Sequence, residues 1–271
     1  MLEVRNLSAG YNSADVIRNI SFTVHKGESL CVLGPNGCGK STLLKAIARI
    51  IDHRGAVLLS GDNSPNGIDI ASLPRKELAK KIALLGQTAQ VFFPYTVYET
   101  VSMGRYAHSQ GLLSVLKDYP AGDKAIIQDV LKKLDLWDIK ERMINELSGG
   151  TLQRVFLART LAQTPDLILL DEPANHLDLK HQIELLDFLK SWVKENNTIL
   201  IGVFHDLNLA RNFGNTAILL NAHVNDPQTD TQTTIAAHGK IDNVLNSEVI
   251  NEVYGTDIHG FMRKALEKWR D

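Results

Sequence analysis

Gly34-Pro35-Asn36-Gly37-Cys38-Gly39-Lys40-Ser41-Thr42 is the stretch that decides the fold. Leu30 to Leu33 form a short apolar run that ends in it, and Leu43, Leu44 and Ile47 then recur at helical spacing. Strand, glycine-rich loop and helix in that order are the setting a phosphate-binding loop requires. Glycines let the backbone wrap closely enough for several N–H groups to converge on one anion, and the helix that follows adds its positive end. There the Lys40 ammonium would reach terminal phosphates and the Ser41 hydroxyl would bind Mg²⁺.

Two further apolar runs end in polar residues: Leu167 to Leu170 before Asp171-Glu172, and Ile199 to Phe204 before His205-Asp206. Such runs read as buried strands of a parallel sheet, whose carboxyl ends carry ligands in α/β folds. Asp171 would hold Mg²⁺, and Glu172 at the strand exit would be the general base for an attacking water. The first thirty or so residues alternate, as in Glu3-Val4-Arg5 and Ile20 to Val24, and predict half-buried antiparallel strands. Residues from about 95 to 160 predict mostly helix, with Ile126, Ile127, Val130, Leu131 and Leu134 at spacings of 3 or 4. The polar stretch Asn221 to Gln232 predicts an exposed loop.

With 271 residues, 44% hydrophobic and 22% charged, the chain suits an ordinary globular protein and excludes collagenous or disordered classes. A net charge of -2 and the lack of a basic tail argue against nucleic-acid partners. The two cysteines, Cys31 and Cys38, fit a reducing cytosol better than a disulfide framework. No apolar signal core opens the sequence, and no apolar run reaches the roughly eighteen residues needed to span a bilayer. Work at a membrane would therefore be done through a partner. The histidines, His176 and His181 included, show no paired metal-ligand spacing.

Leu147-Ser148-Gly149-Gly150-Thr151-Leu152-Gln153-Arg154, taken with the phosphate loop and the Asp-Glu strand, closely resembles the signature of the ATP-binding cassette family. Ser148 and two glycines opening a helix make a second anion-binding helix end. The resemblance runs in order from about residue 2 to about residue 220. It implies a single cassette over residues 1–271, an α/β P-loop NTPase (RecA-like) core at 1–94 and 160–271 with an N-terminal antiparallel β subdomain, and an inserted helical subdomain at 95–159 carrying the signature. It implies that Tyr11 stacks on adenine, that Gln87 senses Mg²⁺ and the partner, that Asp178 lies in the loop after the catalytic carboxylate, and that His205 is the switch histidine. It also implies a head-to-tail homodimer, with ATP held by Gly34 to Thr42 of one copy and closed over by Ser148 to Gly150 of the other.

Val91 to Arg105, with Gly67 to Ile70, Leu78 to Ala83 and Ala174 to Asp178, resembles the ATPases of iron-siderophore, haem and cobalamin importers. That branch implies transmembrane permease subunits docking near Phe92, Phe93 and Tyr95, a solute-binding protein in the same system, and a place on the cytoplasmic face of the membrane. Filling the core of the helical subdomain is the other reading of those aromatics. Another transporter type, exporter or importer, and a non-transport cassette are the alternatives for the chain. Two departures from the family stand out. Cys38, where serine is more usual, sits at a helix start near Lys40, a setting that lowers a thiol pKa. Asn221 to Gln232 occupies the place of a short glycine-containing hairpin.

Overall fold

The structure of the chain, a computed structural model, describes residues 1–12, 14–61, 64–86, 94–109, 119–175, 177–223 and 232–267. Gln87, Phe92, Phe93 and His176 lie outside them. The described chain divides into two compact units, Met1–Ala71 with Lys190–Asp271, and Ser72–Leu189.

In the first unit the alternating N-terminal residues pair as expected. β1 (Leu2–Tyr11) runs antiparallel to β2 (Ala14–Val24), with Leu2 opposite Val24 and Val4 opposite Phe22. β4 (His53–Gly61) flanks β1 on its other edge, and β5 (Ser64–Asp69) extends the antiparallel layer. The apolar runs become parallel strands. β3 (Ser29–Leu33) and β8 (Ile199–Val203) are buried at every position and pair in parallel, Ser29 opposite Leu200. Strands buried on both faces have no polar side to show, which is why they read as continuous rather than alternating hydrophobics. β9 (Thr216–His223) lies parallel to β3 on its far edge, and β10 (Gln232–Lys240) returns antiparallel to β9 and touches β2 at Thr233 opposite Ile17. The order across this unit is β5-β4-β1-β2-β10-β9-β3-β8. Leu43, Leu44 and Ile47 of helix Lys40–Ile47 are fully buried.

The ladder between β9 and β10 corrects the expectation of a loop from Asn221. Residues Asn221 to His223 and Gln232 are strand, paired as far as Gln232 opposite His223. Polar composition misleads there because a hairpin arm needs its backbone hydrogen bonds more than apolar side chains.

In the second unit β6 (Ile82–Leu85) pairs in parallel with β7 (Leu167–Asp171), Ile82 opposite Leu167 and Leu85 opposite Leu170. Helices Val97–Ser102, Ala121–Lys133 and Gly149–Ala162 lie in the expected helical block, and the first and third pack together. Ile127, Val130 and Leu131 form the buried stripe of the second helix, each worth about 1.5–3 kcal/mol of burial. Thr96 opens Val97–Ser102 with a capping box to Glu99. Arg105 is nearly buried, and its guanidinium donates to Asp123 at 2.8 Å, to the Ala162 carbonyl at 2.9 Å and to the Thr164 hydroxyl at 2.9 Å. Helix Leu179–Asn196 carries the chain from this unit into the first.

Candidate functional site

The phosphate-loop residues lie in the first unit, between β3 and helix Lys40–Ile47. Gly34, Gly37 and Gly39 have φ of 143°, 78° and 89°, conformations that side chains resist. Gly39 also has no room for one, since a Cβ there would stand 2.8 Å from Ile17 Cγ2 and 3.0 Å from Val16 Cγ1. The loop curls back on itself. The Cys38 N–H donates to the Pro35 carbonyl at 3.3 Å, and the buried Lys40 ammonium donates to the Gly34 and Pro35 carbonyls at 2.8 and 2.9 Å. Thr42 is buried, Ser41 is half-buried, and Asn36 and Gly37 are exposed. The first turn of the helix contains no acidic residue, so its N-terminal partial charge is not neutralised there.

Burial corrects the expectation for Cys38. The thiol is fully buried, and desolvation pushes its pKa up; the Lys40 charge and backbone donors pull the other way and do not win. Tyr11, at the end of β1, is exposed and pairs with Ala14 across a turn in which Asn12 takes φ 50°. His205 is exposed on the loop after β8, beside Asp206, whose carboxylate caps helix Leu207–Phe213 through the N–H groups of Asn208 and Leu209 at 2.7 and 3.1 Å.

The second unit holds the carboxylates and the Ser-Gly-Gly helix start. Asp171 closes β7 and is buried. The chain leaves extended geometry at the next residue: Glu172 has φ 55°, in the left-handed region that non-glycine residues seldom occupy. The turn brings the Asn175 N–H to the Glu172 carbonyl at 3.2 Å and the Asn175 side-chain amide onto the Glu172 carboxylate. Ser148 is the N-cap of helix Gly149–Ala162 and accepts from the Thr151 N–H at 3.4 Å. The first turn of this helix also lacks an acidic residue. A Cβ on Gly150 would stand 3.0 Å from Leu177 Cδ2. Gln153, on the same helix, donates to the Pro173 carbonyl at 3.2 Å, so the helix and the loop after Glu172 are directly tied.

Ser148, Gly150, Arg154, Leu177, Asp178 and His181 border one cavity of about 350 Å³. Asp178 is exposed and accepts from the His181 N–H at 3.0 Å and from Nδ1 of the same histidine at 2.8 Å. Those bonds, the backbone one first, hold its carboxyl below the usual range. Asn175 and His181 are the two contributors that sequence reading missed. The Asp-x-x-His spacing of a helix start was the available signal for His181, and Asn175 had none.

Ser41 and Asp171 both offer hard oxygen donors, which suit Mg²⁺. That ion takes one or two protein ligands plus substrate phosphates rather than an all-protein cage. Among the described residues no group of three or more His, Cys, Asp or Glu side chains converges as such a cage.

Strand-loop-helix with a self-closed glycine loop, a buried strand delivering Asp171, and a Ser-capped Gly-Gly helix define a nucleotide-binding P-loop NTPase. The sequence profile of the ABC transporter family matches residues 17–175, and the chain belongs to that family of ATP-hydrolysing transport proteins. It is 36% identical over 254 residues to the probable siderophore transport system ATP-binding protein of Bacillus subtilis, covering 93% of this chain and 85% of that one. Among solved structures it is similar, with a TM-score of 0.75 and 28% identity, to a transporter assigned to the metal-chelate type in an inward-facing conformation, over 94% of this chain and 89% of that one. A bacterial ABC transporter cassette solved as a dimer, MJ0796, aligns with a TM-score of 0.71 and 26% identity over 89% and 99% of the two chains.

Proposed function

We propose that this chain is the ATP-hydrolysing subunit of a multi-subunit importer for a chelated metal of the iron-siderophore type, and that residues 1–271 form one cassette. The observation that carries the ATP chemistry is the presence of two helix N-termini without first-turn acids, one with Gly39 as its N-cap and one that opens with Gly149-Gly150 after Ser148. Each is an anion site by its backbone alone. A head-to-tail pair of copies gives both the same ligand: Gly34 to Thr42 of one copy cradles the phosphates, and Ser148 to Gly150 of the other closes over them. Lys40 exchanges its bonds to the Gly34 and Pro35 carbonyls for bonds to phosphate oxygens. Tyr11 stacks on the adenine, and Asp178 lies at the closing face.

Ser41 and Asp171 would each serve as a Mg²⁺ ligand, with Gln87 as sensor, and the ion would supply charge neutralisation on the phosphates. Glu172 accepts the proton of the attacking water as its oxygen bonds to the γ-phosphorus and the bond to ADP breaks. His205 holds the γ-phosphate and water in line by hydrogen bonds. Glu172→Gln keeps ATP binding and accumulates the closed dimer, read by size-exclusion chromatography with ATP; full turnover by that variant removes Glu172 from the catalytic role.

The solute class rests on the siderophore and metal-chelate relatives. No helix among the described residues is long and apolar enough to cross a membrane, which fits a peripheral place on the cytoplasmic face of the membrane, reached through permease subunits. Tyr95 and Met143 are both exposed and adjacent across the Thr96–Met143 bridge, and an exposed apolar pair of this kind suits a permease segment. The deciding experiment measures uptake of radiolabelled ferric siderophores by native-host cells lacking this chain. Uptake is lost and is restored by the wild type but not by Lys40→Ala. Unchanged uptake across hydroxamate, catecholate and haem substrates, with the tagged chain co-purifying with another transporter type, sinks the importer reading.

A further inference from the structure

Pro173 and Ala174, the two residues after Glu172, are buried, and a buried carbonyl needs a donor. Two glutamines on different helices of the same compact unit supply donors there. From helix Gly149–Ala162, Gln153 reaches the Pro173 carbonyl at 3.2 Å. From helix Leu179–Asn196, the half-buried Gln182 donates through Nε2 to the Ala174 carbonyl and to the Leu177 carbonyl, each at 3.1 Å. An amide nitrogen carries two hydrogens, so Gln182 spends both on this segment. The opposite setting of its amide would turn Oε1 toward two carbonyl oxygens, and the two acceptors therefore fix which way it points. Gln182 is itself anchored, because its N–H donates to the Asp178 carbonyl at 2.9 Å in the first turn of its helix. The backbone adds two longer bonds, from the Asn175 N–H to the Glu172 carbonyl at 3.2 Å and from the Leu177 N–H to the Ala174 carbonyl at 3.4 Å.

We propose that Gln182, seconded by Gln153, is a positioning residue for the hydrolytic step, which pins the backbone on both sides of Asn175 and so keeps the Asn175 amide against the Glu172 carboxylate. Glu172 holds a left-handed φ of 55°, and Asn175 meets it through both backbone and side chain. That contact survives only while Ala174 and Leu177 stay where they are, and Gln182 bonds to both. Without the Gln182 donor, two carbonyls lose a partner, and the segment shifts to find others. Asn175 moves with it, and the carboxylate of the proposed base loses its alignment. Neither glutamine belongs to the phosphate loop, so turnover and nucleotide affinity separate.

Gln182→Met keeps the length of the side chain and deletes both donors. The kcat for ATP hydrolysis is expected to fall about three- to thirtyfold, the span of one to two neutral hydrogen bonds, with KM for Mg-ATP within about twofold of wild type. Gln182→Glu, of the same shape but able only to accept, lowers kcat at least as far. Gln153→Met, which deletes one donor, costs about two- to tenfold in kcat. A double variant tests the route: because Gln182 acts through Asn175, adding Gln182→Met to Asn175→Ala costs less than about twofold more. An unchanged kcat, a rise in KM alone, or losses that multiply in full in the double variant overturns the proposal. Should the variants fail to fold, hydrogen exchange of the glutamine side-chain amides in the wild type, followed by NMR, decides the matter: slowed exchange at Gln182 Nε2 supports the tether, and exchange at the rate of an exposed amide overturns it. The proposal rests on Glu172 being the general base. If Glu172→Gln turns over fully, that reading falls; if it abolishes turnover while Gln182→Met leaves kcat unchanged, only the role of Gln182 falls.

Discussion

Glu172 occupies a left-handed backbone position that a non-glycine residue holds only where the surroundings over-determine it. Asn175 supplies that support twice, through its backbone N–H and through its side-chain amide on the carboxylate. Asn175→Ala removes this side-chain donor from the carboxylate of the proposed general base. We expect kcat to fall about tenfold or more, in the range a misplaced general base loses, with KM for ATP unchanged in steady-state assays; an unchanged kcat would show that the amide only stabilises the turn. Much of this site was legible residue by residue. Glycines that need positive φ and a carboxylate closing an apolar strand are local patterns, and both stand where the sequence placed them. The contact between Asn175 and Glu172 was not legible, because it exists only once the chain turns left-handed. Cys38 shows the same limit from the energetic side: helix start and nearby lysine were readable, burial was not, and burial decides the direction of its pKa.

Two glycines at the starts of two helices separate fold from function at the scale of the element. Gly39 has φ 89° and its missing Cβ would sit 2.8 Å from Ile17 on β2, so Gly39→Ala meets both strain and a neighbouring β-branched side chain that cannot rotate away. Gly150 lies within helix Gly149–Ala162 with ordinary φ, and its Cβ would meet only a terminal methyl of Leu177 at 3.0 Å. Alanine also gains up to about 1 kcal/mol of helix propensity there. Denaturant unfolding should therefore show Gly39→Ala less stable by about 1–3 kcal/mol and Gly150→Ala within about 1 kcal/mol of wild type. Under the proposed function ATPase activity should fall in both, the second methyl narrowing the approach to a helix end proposed to meet the nucleotide. Equal destabilisation of the two would mean that Leu177 cannot yield. The parallel strands were legible because burial on both faces leaves continuous apolar runs. The β9–β10 arms were not, because their pairing is carried by backbone groups that composition does not report.

Across the molecule, histidines in both compact units respond to burial in one direction. His53 and His238 in the first unit and His108 in the second are all held below the ordinary imidazole value, with desolvation the largest cause in each. His108 meets the Gln163 carbonyl through Nε2 at 2.9 Å, a bond that pulls its pKa up without overcoming burial, and His238 packs edge-on to Phe22 with ring centroids 6.3 Å apart. Folding disfavours the charged form of each ring relative to the unfolded chain, whose imidazoles titrate near 6.5. Each pKa is depressed on folding, so each contributes stability that is fully present above pH 6.5 or so and is lost as pH falls through the lower folded value. The exposed carboxylates Glu3, Glu77 and Asp178 are lowered as well, by Arg5, Lys80 and His181, but their window opens only below their own unfolded values near 4. The two windows are therefore separable. The melting temperature should stay level from about pH 8 to 7 and begin to fall below about 6.5, well before any carboxylate titrates. Replacing His53, His108 and His238 together by Gln should flatten that first fall and leave the acid limb below about pH 4.5 in place. If the triple variant loses stability between pH 6.5 and 5.5 as steeply as the wild type, the loss arises elsewhere, and burial of these three rings is not what sets the molecule's tolerance of mild acid.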